Sequence, residues 1–411
     1  MNAKRHAASL LLGVLLAACG STPTPPTPAA SPPAASTPGP TSTATPSATP
    51  SATSNPTMGW RAVPDQPALR RVGFTTIVRA EQRFVAVGTA DDHVLFLDSD
   101  DGLTWHRGTD LGAEANVVAL AAGPRGLVAV GTVDGRPASW VSEDGLFWTP
   151  RTEPFPMPAL GTATATVTGV IANGDGWIAV GREDPACEYL CGWDPVRALV
   201  WKSRDGLAWT RVADQPALEG AGMDSIVRTD GGFVAGGIET HHAAVWTSAD
   251  GRTWSRVADA PLFHPQPVFH PQPATEPWTA VAMSPIVAGH GVVVGFATAS
   301  GVGDGGAPTA VAWWSEDGRT WAAVPVPDAS PDDVHSLALT TDGFLATGST
   351  APGNRWHPIV WRSIDGRSWE TVPAGSAPNG FDPAAVAASR TVEVAVGSGG
   401  VTVPAWWRPV P

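Results

Sequence analysis

Positive charge is scarce in this chain. Its 411 residues include 25 Lys and Arg against 38 Asp and Glu, so the formal net charge is −13 at pH 7. Nucleic-acid binding depends on neutralising phosphates with Lys and Arg, and an acidic chain does not suit it. We therefore expect no nucleic-acid partner.

Long apolar runs, helical patterns and familiar catalytic motifs are also missing. After the first 18 residues, no apolar run approaches the length of a membrane-spanning helix. After residue 58 no long amphipathic helical pattern occurs, which favours an all-β fold. No nucleophile elbow, phosphate-binding loop or zinc-binding helix motif is present, so the sequence gives no reason to expect a cofactor.

The first residues have the features of a bacterial export signal. Two basic residues precede an apolar run, Leu10 to Ala18, which is too short for a permanent membrane helix. The run ends in Leu16-Ala17-Ala18-Cys19-Gly20, which resembles the lipobox of bacterial lipoproteins. The resemblance implies that residues 1–18 are a signal peptide and that a lipid on Cys19 anchors the protein to a membrane of the cell envelope, outside the cytoplasm. The alternative is an ordinary secretory signal followed by an unmodified cysteine.

A stretch of low complexity follows the signal. Residues 20–57 contain no charged residue and consist almost wholly of Pro, Thr, Ser, Ala and Gly. Such a composition has little to bury and favours a disordered, partly polyproline-like chain. We expect residues 19–57 to act as a stalk for residues 58–411, which form the folded domain.

A motif of seven residues occurs six times in the folded region: Ser, any residue, Asp, Gly, two further residues and Trp. Its copies are Ser99–Trp105, Ser142–Trp148, Ser203–Trp209, Ser248–Trp254, Ser315–Trp321 and Ser363–Trp369. The aspartates are Asp101, Asp144, Asp205, Asp250, Asp317 and Asp365, which lie 43 to 67 residues apart. Four-stranded repeats of about this length are typical of β-propeller blades.

Each motif belongs to a longer repeat of four predicted strands. A strand of the form Phe84–Gly88 and a third strand precede the motif, and a fourth strand follows it. Near the C-terminus, Ala405 to Arg408 repeats the third strand, but no fourth strand follows; Trp60–Pro64 resembles the missing one. The sequence predicts a seven-bladed β-propeller of four-stranded antiparallel blades, with the last blade closed by the N-terminal strand.

The six motif aspartates are interpreted as structural. An Asp side chain accepts hydrogen bonds from the N–H groups of a tight turn, and Gly supplies a left-handed conformation. The Trp then packs between neighbouring sheets. Every blade needs such a turn, whereas a catalytic centre needs only one set of residues.

The repeats resemble the Asp-box, or BNR-repeat, family of bacterial sialidases and non-catalytic propellers, over the whole of 58–411. The resemblance implies that the boxes lie on the face opposite the ligand site. Ligands would then bind at loops that join strands two and three or lead from strand four to the next blade. The long insertions all fall in those loops, at 182–197, 261–278, 297–308 and 349–357.

Several side chains in or beside these insertions are candidates for contact with a ligand. They are Trp193, Trp278, Trp356, Tyr189, His241, His264 and His270. Exposed aromatic rings there would stack on sugars or anchor a protein partner; alternatively, each packs only against its own loop. Imidazole is a common metal ligand, but the adjacent His241 and His242 would point in opposite directions on an extended chain. No metal site is predicted.

Cys187 and Cys191 lie in the first insertion. Outside the cytoplasm a pair this close can form a local disulfide, and we treat the two as a disulfide candidate. A metal-binding pair and free thiols are the alternatives, although no further Cys or His at suitable spacing lies nearby to complete a zinc site.

Sialidases of this family resemble one another in an arginine triad, a Tyr–Glu couple and an Asp acid, none of which can be assigned here. Arg79 and Arg228 occupy equivalent repeat positions, which indicates repetition rather than a clamp. The acidic residues of the same face select no catalytic pair; they are Glu183, Asp184, Asp194, Glu239, Glu276 and Asp304. The sequence favours a monomeric, non-catalytic propeller that binds a protein or glycan. The alternative is a sialidase-like or other extracytoplasmic glycoside hydrolase or lyase.

Overall fold

The computed structural model describes residues 59–157, 164–174, 176–184, 197–240, 242–264, 280–300, 310–329, 334–350, 357–373, 381–398 and 405–410. These residues belong to one unit of the chain, Asn55–Pro411. The predicted signal peptide, lipidated cysteine and stalk lie outside them and stay predictions. Within the described ranges, no helix has the length and apolar character needed to cross a bilayer.

The described residues form 28 strands in seven antiparallel sheets of four. Blade 1 consists of β2 (Gly73–Ala80), β3 (Arg83–Ala90), β4 (His93–Ser99) and β5 (His106–Gly112). Blade 2 consists of β6 (Ala115–Gly123), β7 (Gly126–Val133), β8 (Arg136–Ser142) and β9 (Thr149–Thr152). Blade 3 consists of β10 (Thr164–Asn173), β11 (Gly176–Asp184), β12 (Arg197–Ser203) and β13 (Trp209–Arg211).

The other four blades continue the series. Blade 4 consists of β14 (Ala221–Thr229), β15 (Gly232–Glu239), β16 (His242–Ser248) and β17 (Ser255–Arg256). Blade 5 consists of β18 (Ala280–Gly289), β19 (Val292–Ser300), β20 (Val311–Ser315) and β21 (Ala322–Pro325). Blade 6 consists of β22 (Val334–Leu339), β23 (Phe344–Thr350), β24 (His357–Ser363) and β25 (Glu370–Val372). Blade 7 consists of β26 (Asp382–Ala388), β27 (Val392–Ser398), β28 (Ala405–Pro409) and β1 (Arg61–Ala62).

The seven sheets form a closed ring. The first strand of each blade contacts the first strand of the next, and blade 7 contacts blade 1 in the same way. The N-terminal strand β1 pairs with β28, with Arg61 opposite Trp407 and Ala62 opposite Trp406. This pairing covers the edge that β28 would otherwise leave open. The predicted seven-bladed propeller, and the closure of its last blade by the N-terminal strand, are both confirmed.

Strand direction gives the disc two distinct faces. First strands begin and second strands end at one of them, which we call the loop face. Third strands end at the opposite one, which we call the motif face because it carries the six turns formed by the repeated seven-residue motif. Short 3-10 turns lie in three of the connectors between blades, at Pro67–Leu69, Pro216–Leu218 and Pro261–Phe263.

The motif turns share one hydrogen-bond pattern. In blade 1, Asp101 Oδ1 accepts hydrogen bonds from the backbone N–H groups of Leu103 at 2.8 Å and Thr104 at 2.7 Å. Ser99 Oγ donates to the same carboxylate at 3.1 Å and accepts from Gly102 N at 2.9 Å. The other five aspartates accept the corresponding pair of backbone bonds. Each aspartate therefore satisfies the donors of its own turn.

The motif glycines join each blade to the one before it. All six have positive φ, between 67° and 82°. A Cβ on any of them would lie within 2.3–2.6 Å of a side chain in the second strand of the preceding blade. Gly145 approaches Val85 and Gly206 approaches Val128. Gly102 of blade 1 approaches Val394 of blade 7, so the same contact joins the first blade to the last. Only glycine combines this backbone conformation with so close a contact.

Blade 7 has no motif turn, and an ion-pair cluster occupies the equivalent position. Arg408 stands where the other blades have the motif serine, and it lies opposite Glu393 in the sheet. Glu393 is fully buried and forms ion pairs with Arg408, at 3.7 Å, and with Arg362 of blade 6. The corresponding residue in blade 1 is Phe84, opposite Ser99. At this position the contact between blades 6 and 7 is therefore ionic, whereas blade 1 has the apolar Phe84.

In blades 3 to 6, a third-strand tryptophan attaches the blade to the connector that enters it. The indole N–H groups of these tryptophans donate to carbonyl oxygens in that connector at 2.7–3.0 Å, from Trp201 to Pro156, Trp246 to Ala217, Trp313 to Leu262 and Trp361 to Pro327. The rings themselves are fully buried in apolar clusters between neighbouring blades. Buried aromatic side chains thus fill the wedge-shaped spaces between neighbouring blades of the disc.

Candidate functional site

The four long insertions all begin and end on the loop face. Three of them join a second strand to a third, between β11 and β12, β19 and β20, and β23 and β24. The fourth joins β17 of blade 4 to β18 of blade 5. The motif turns join third strands to fourth strands at the opposite face. One face of a rigid disc therefore carries the added chain, and this is the usual arrangement for binding loops on a scaffold.

Most of the predicted site residues lie outside the part of the chain that the structure describes. These are Trp193, Trp278, Trp356, Tyr189, His241 and His270, together with the disulfide candidates Cys187 and Cys191. Their roles stay predictions. His264 is described: it follows the turn Pro261–Phe263, and its Nε2 lies 2.7 Å from Asp259 Oδ1. His242, which begins β16 on the same face, lies against it with ring centroids 4.1 Å apart.

A β-bulge interrupts the pairing of first and second strands in every blade, near the loop face. The register shifts lie at 74–76, 117–119, 167–169, 223–225, 283–286, 334–336 and 383–385. A bulge adds a residue and redirects side chains. Because first strands are innermost, these seven bulges form the mouth of the central channel. Asp224 and His335 are the titratable residues at bulge positions.

Asp224 is held by an arginine from the neighbouring blade. Arg182 Nη1 lies 2.8 Å from Asp224 Oδ1, and Arg182 Nε lies 3.1 Å from Asp184 Oδ1. The Asp224 side chain is only 15% exposed. Burial raises the pKa of this carboxyl to about 6, while Arg182 acts to lower it and Asp184 adds to the rise. A carboxyl that exchanges its proton near neutral pH is suited to general acid–base chemistry, although structural ion pairs show such shifts as well.

A second polar cluster joins blades 6 and 7 at the loop face. Ser349 Oγ donates to Asp382 Oδ1 at 2.7 Å, and His335 Nδ1 lies 3.3 Å from the same oxygen. His335 Nδ1 also lies 2.9 Å from the carbonyl oxygen of Pro383. In a hydrolase triad the histidine stands between serine and aspartate. Here the carboxylate contacts both groups directly, so the cluster links two blades rather than activating the hydroxyl.

The acidic residues singled out in the sequence are neutralised where they are described. Glu183 pairs with Arg197 at 2.8 Å, and Glu239 pairs with Arg256 at 2.5 Å. Asp184 pairs with Arg182, whereas Asp194, Glu276 and Asp304 lie outside the described ranges. Asp224 was missed. Its only signal in the sequence is a carboxylate within a first strand of mostly small and apolar residues, and the bulge that redirects its side chain cannot be read from the sequence.

Arg79 and Arg228 occupy equivalent positions near the motif-face ends of their strands. Arg79 Cζ lies 4.7 Å from the ring centroid of Phe84, and Arg228 Cζ lies 6.0 Å from that of Phe233. Each guanidinium therefore packs on the aromatic residue that begins the next strand. This location separates both arginines from the loop face.

Two well-formed cavities lie away from the channel mouth. One of about 480 Å³ opens on the motif face between blades 4 and 5, beside Arg228, His290 and Asp317. The other, of about 1080 Å³, runs along the rim between blades 3 and 4 and is lined by Lys202, Arg204, Arg211 and Arg252 among others. On the loop face, the described residues contribute the two polar clusters around Asp224 and Asp382.

The architecture defines a seven-bladed β-propeller. No protein-family model matches the chain, and no curated protein is significantly similar in sequence. Among solved structures, the phage phi92 endosialidase is 11% identical over 86% of this chain and 68% of its own, with a TM-score of 0.45. The Pseudomonas aeruginosa periplasmic gluconolactonase PpgL is 10% identical, covering 82% and 88%, with a TM-score of 0.49. A Trypanosoma rangeli sialidase mutant displaying trans-sialidase activity is 12% identical, covering 74% and 54%, with a TM-score of 0.39. Identities this low say nothing of activity.

Proposed function

We propose that this protein is a lipid-anchored propeller of the bacterial cell envelope that binds a protein or glycan through its loop face, without catalysis. The observation that carries the proposal is the one-sided distribution of the insertions, all of which leave the disc opposite the motif turns. A scaffold that only needed stability would gain nothing from added chain on a single face. Long connections on a rigid support are the usual carriers of recognition.

The position of the N-terminal strand supports a tethered arrangement. β1 is a fourth strand, so the described chain begins at the motif face, where Gly59 precedes the buried Trp60. A tether joined to this end is joined to the face that carries no insertion.

Shortening the insertions tests the proposal. Blade 2 joins its second and third strands with a two-residue turn, Asp134-Gly135, whose φ angles of 51° and 71° match a type I′ hairpin. Replacing 184–196 by Asp-Gly therefore keeps blade 3 in register, because Glu183 pairs with Arg197 as Val133 pairs with Arg136. The same design replaces 265–279 with a short glycine-containing linker. Both variants are made in the mature chain, residues 19–411 with Cys19→Ser, and labelled with a fluorophore.

Binding is measured on isolated envelopes of the source bacterium and on a glycan array. We expect the double-loop variant to lose at least about tenfold in retained protein, which corresponds to about 1.4 kcal/mol of binding free energy. The control is Phe147→Ser with Ile364→Ser, which removes two exposed apolar side chains from the motif face. Binding that survives loop removal but is lost in this control would overturn the proposal.

A glycoside hydrolase or lyase is the second candidate, because Asp224 offers a carboxyl with a pKa of about 6 at the channel mouth. Such a group could protonate a leaving oxygen. The purified mature chain is screened against fluorogenic glycosides with and without divalent metals. Turnover that Asp224→Asn reduces by about 100-fold or more would favour the enzyme. Turnover absent from every substrate argues for a binding module.

A further inference from the structure

Two histidines and an aspartate converge on the loop face at the rim of blade 4. His242 begins the third strand β16, Asp259 follows the fourth strand β17, and His264 follows the turn Pro261–Phe263. One nitrogen or oxygen of each residue lies within 4.8 Å of those of the other two. Within this group, His264 Nε2 lies 2.7 and 2.9 Å from the two Asp259 oxygens. His242 Nδ1 is buried and makes no hydrogen bond to any described residue.

The neighbouring blade shows what these three positions normally hold. Arg197, Asp214 and Glu219 of blade 3 precede His242, Asp259 and His264 by 45 residues each, the same offset as between Asp205 and Asp250. In blade 3, Arg197 Nη1 pairs with Asp214 Oδ2 at 2.9 Å, and Arg197 also forms a backbone bridge to Glu219. The fold thus brings the three positions together in both blades. Blade 3 fills them with an ion pair, and blade 4 fills them with metal-ligand side chains.

We propose that His242, Asp259 and His264 bind a divalent first-row transition metal ion of the zinc type. Two imidazoles and a carboxylate suit Zn²⁺, Cu²⁺ or Ni²⁺ rather than Ca²⁺ or Mg²⁺, which prefer oxygen ligands. Ligand atoms around tetrahedral zinc lie about 2.0–2.2 Å from the ion. The three donor atoms, which all lie within 4.8 Å of one another, would draw closer together around the ion.

Exposure leaves room for a further ligand on the ion. The Asp259 side chain is 56% exposed and that of His264 is 35% exposed, whereas His242 Nδ1 is buried. A three-residue site with one open position is the arrangement found when zinc also holds water or an external ligand. The ion would also fix the start of the connector to blade 5, because His264 directly follows the buried Phe263.

The test uses a variant that gives blade 4 the blade 3 residues. His242→Arg with His264→Glu recreates the Arg-Asp-Glu set around Asp259, so it removes both imidazole ligands while keeping an arrangement that the fold already contains. The matched control is His93→Ala. His93 begins the third strand of blade 1, as His242 does in blade 4, and its Nδ1 lies 3.0 Å from Asp110, but the described structure shows no second histidine beside it.

Zn²⁺ binding is measured by isothermal titration on the full chain without a polyhistidine tag, and melting temperature is recorded with and without Zn²⁺. We expect one site per chain, stabilised on binding, whose affinity falls at least about tenfold in the double variant and is unchanged in His93→Ala. Co²⁺ replaces Zn²⁺ in a parallel titration, because a visible spectrum without thiolate charge-transfer bands separates this site from Cys187 and Cys191.

Two results would overturn the proposal. One is Zn²⁺ binding of unchanged affinity and stoichiometry in the double variant, provided that its melting temperature without metal equals that of the parent chain. The other is no saturable binding of Zn²⁺, Cu²⁺ or Ni²⁺ by the parent chain. If the double variant melts early, His264→Gln alone replaces it, since this side chain is partly exposed and its removal leaves the buried core unchanged.

Discussion

At the scale of single residues, the motif turn has two structural roles. The backbone N–H groups of Thr320 and Arg319 lower the pKa of Asp317 to about 2, so its carboxylate stays ionised and hydrogen-bonded at any ordinary pH. The adjacent glycine brings the turn against the second strand of the preceding blade. One short segment therefore provides hydrogen-bond acceptors for its own backbone N–H groups and also sets the distance between two blades.

The contact made by the motif glycine can be separated from its backbone conformation. Gly206 has a φ of 77°, and a Cβ there would lie 2.5 Å from Val128 and 2.8 Å from Val141. Gly135 has a φ of 71° with no atom within 4 Å of the same position. Both alanine variants adopt the left-handed conformation at a cost of about 1–2 kcal/mol. We expect Gly206→Ala to lose about 1–3 kcal/mol more, because its methyl group overpacks two stiff valines.

Urea denaturation of Gly206→Ala and Gly135→Ala, monitored by tryptophan fluorescence, measures that difference in the free energy of unfolding. Equal losses in the two variants would mean that the motif glycine matters only for its backbone angle.

Asp224 should make stability depend on pH in a particular direction. Its pKa is raised from 3.8 to about 6 in the folded protein, mainly by burial, so the native state binds the proton more tightly than the unfolded chain. Its contribution to stability is therefore complete below about pH 4 and is lost as pH rises through about 6. The shift corresponds to about 3 kcal/mol at about 1.4 kcal/mol per unit. Denaturation of Asp224→Asn and the parent protein between pH 4 and 7 should show this difference growing in favour of the variant, and a constant difference would contradict it.

At the scale of elements, the sequence predicted the strands and turns well because each blade repeats the same physical problem. Every motif needs its Asp, Gly and Trp, so these residues recur and reveal the period. The same reasoning identified Ala405 to Arg408 as a third strand and Trp60–Pro64 as the missing fourth strand. It could not identify Glu393 as the partner of Arg408, because that pairing exists only in the single blade without the motif.

The side-chain clusters at the channel mouth and at the rim of blade 4 could not be predicted from the sequence, for a different reason. Asp224 reaches Arg182 through a bulge, and a bulge changes register without changing composition. His242, Asp259 and His264 meet because the connector that follows β17 passes the start of β16. Such meetings depend on the path of the chain in three dimensions, and the residues involved differ from blade to blade.

The joint between blades 6 and 7 gives a prediction at this scale. Glu393 is completely buried between Arg362 and Arg408, and burial raises its pKa while the two arginines act to lower it. Glu393→Gln leaves two arginines without their shared counter-charge, and we expect a loss of about 3–5 kcal/mol in the free energy of unfolding.

Glu316→Gln is the control for that variant, since Glu316 pairs with Arg367 on the surface, where both side chains are largely exposed. It should cost at most about 1 kcal/mol. If urea denaturation gives similar losses for the two variants, the ionic cluster does not hold this joint.

At the scale of the whole molecule, the fold depends on a ring whose two ends meet in one blade. Seven wedges of apolar side chains lie between neighbouring sheets, and one of them contains residues from both ends of the described chain: Trp60 and Trp406. Their ring centroids lie 4.6 Å apart. Closure therefore couples the N-terminal strand to blades 6 and 7, and with them to the stability of the disc.

Loss of closure should be visible as self-association, not merely as lower stability. Trp60→Ala and Trp105→Ala each remove a buried tryptophan from the start of a fourth strand, and each should cost about 3–5 kcal/mol. Only Trp60→Ala loosens the two-residue strand β1, which covers the edge of β28.

An uncovered strand edge pairs with another chain. We therefore expect Trp60→Ala to form dimers or larger species in light scattering coupled to size exclusion, while the parent and Trp105→Ala stay monomeric. Limited proteolysis should also cut Trp60→Ala between Arg61 and Arg71 sooner than Trp105→Ala, because those residues lose their pairing partner. Self-association of both variants to the same extent would show that general destabilisation, and not an open ring, exposes the edge.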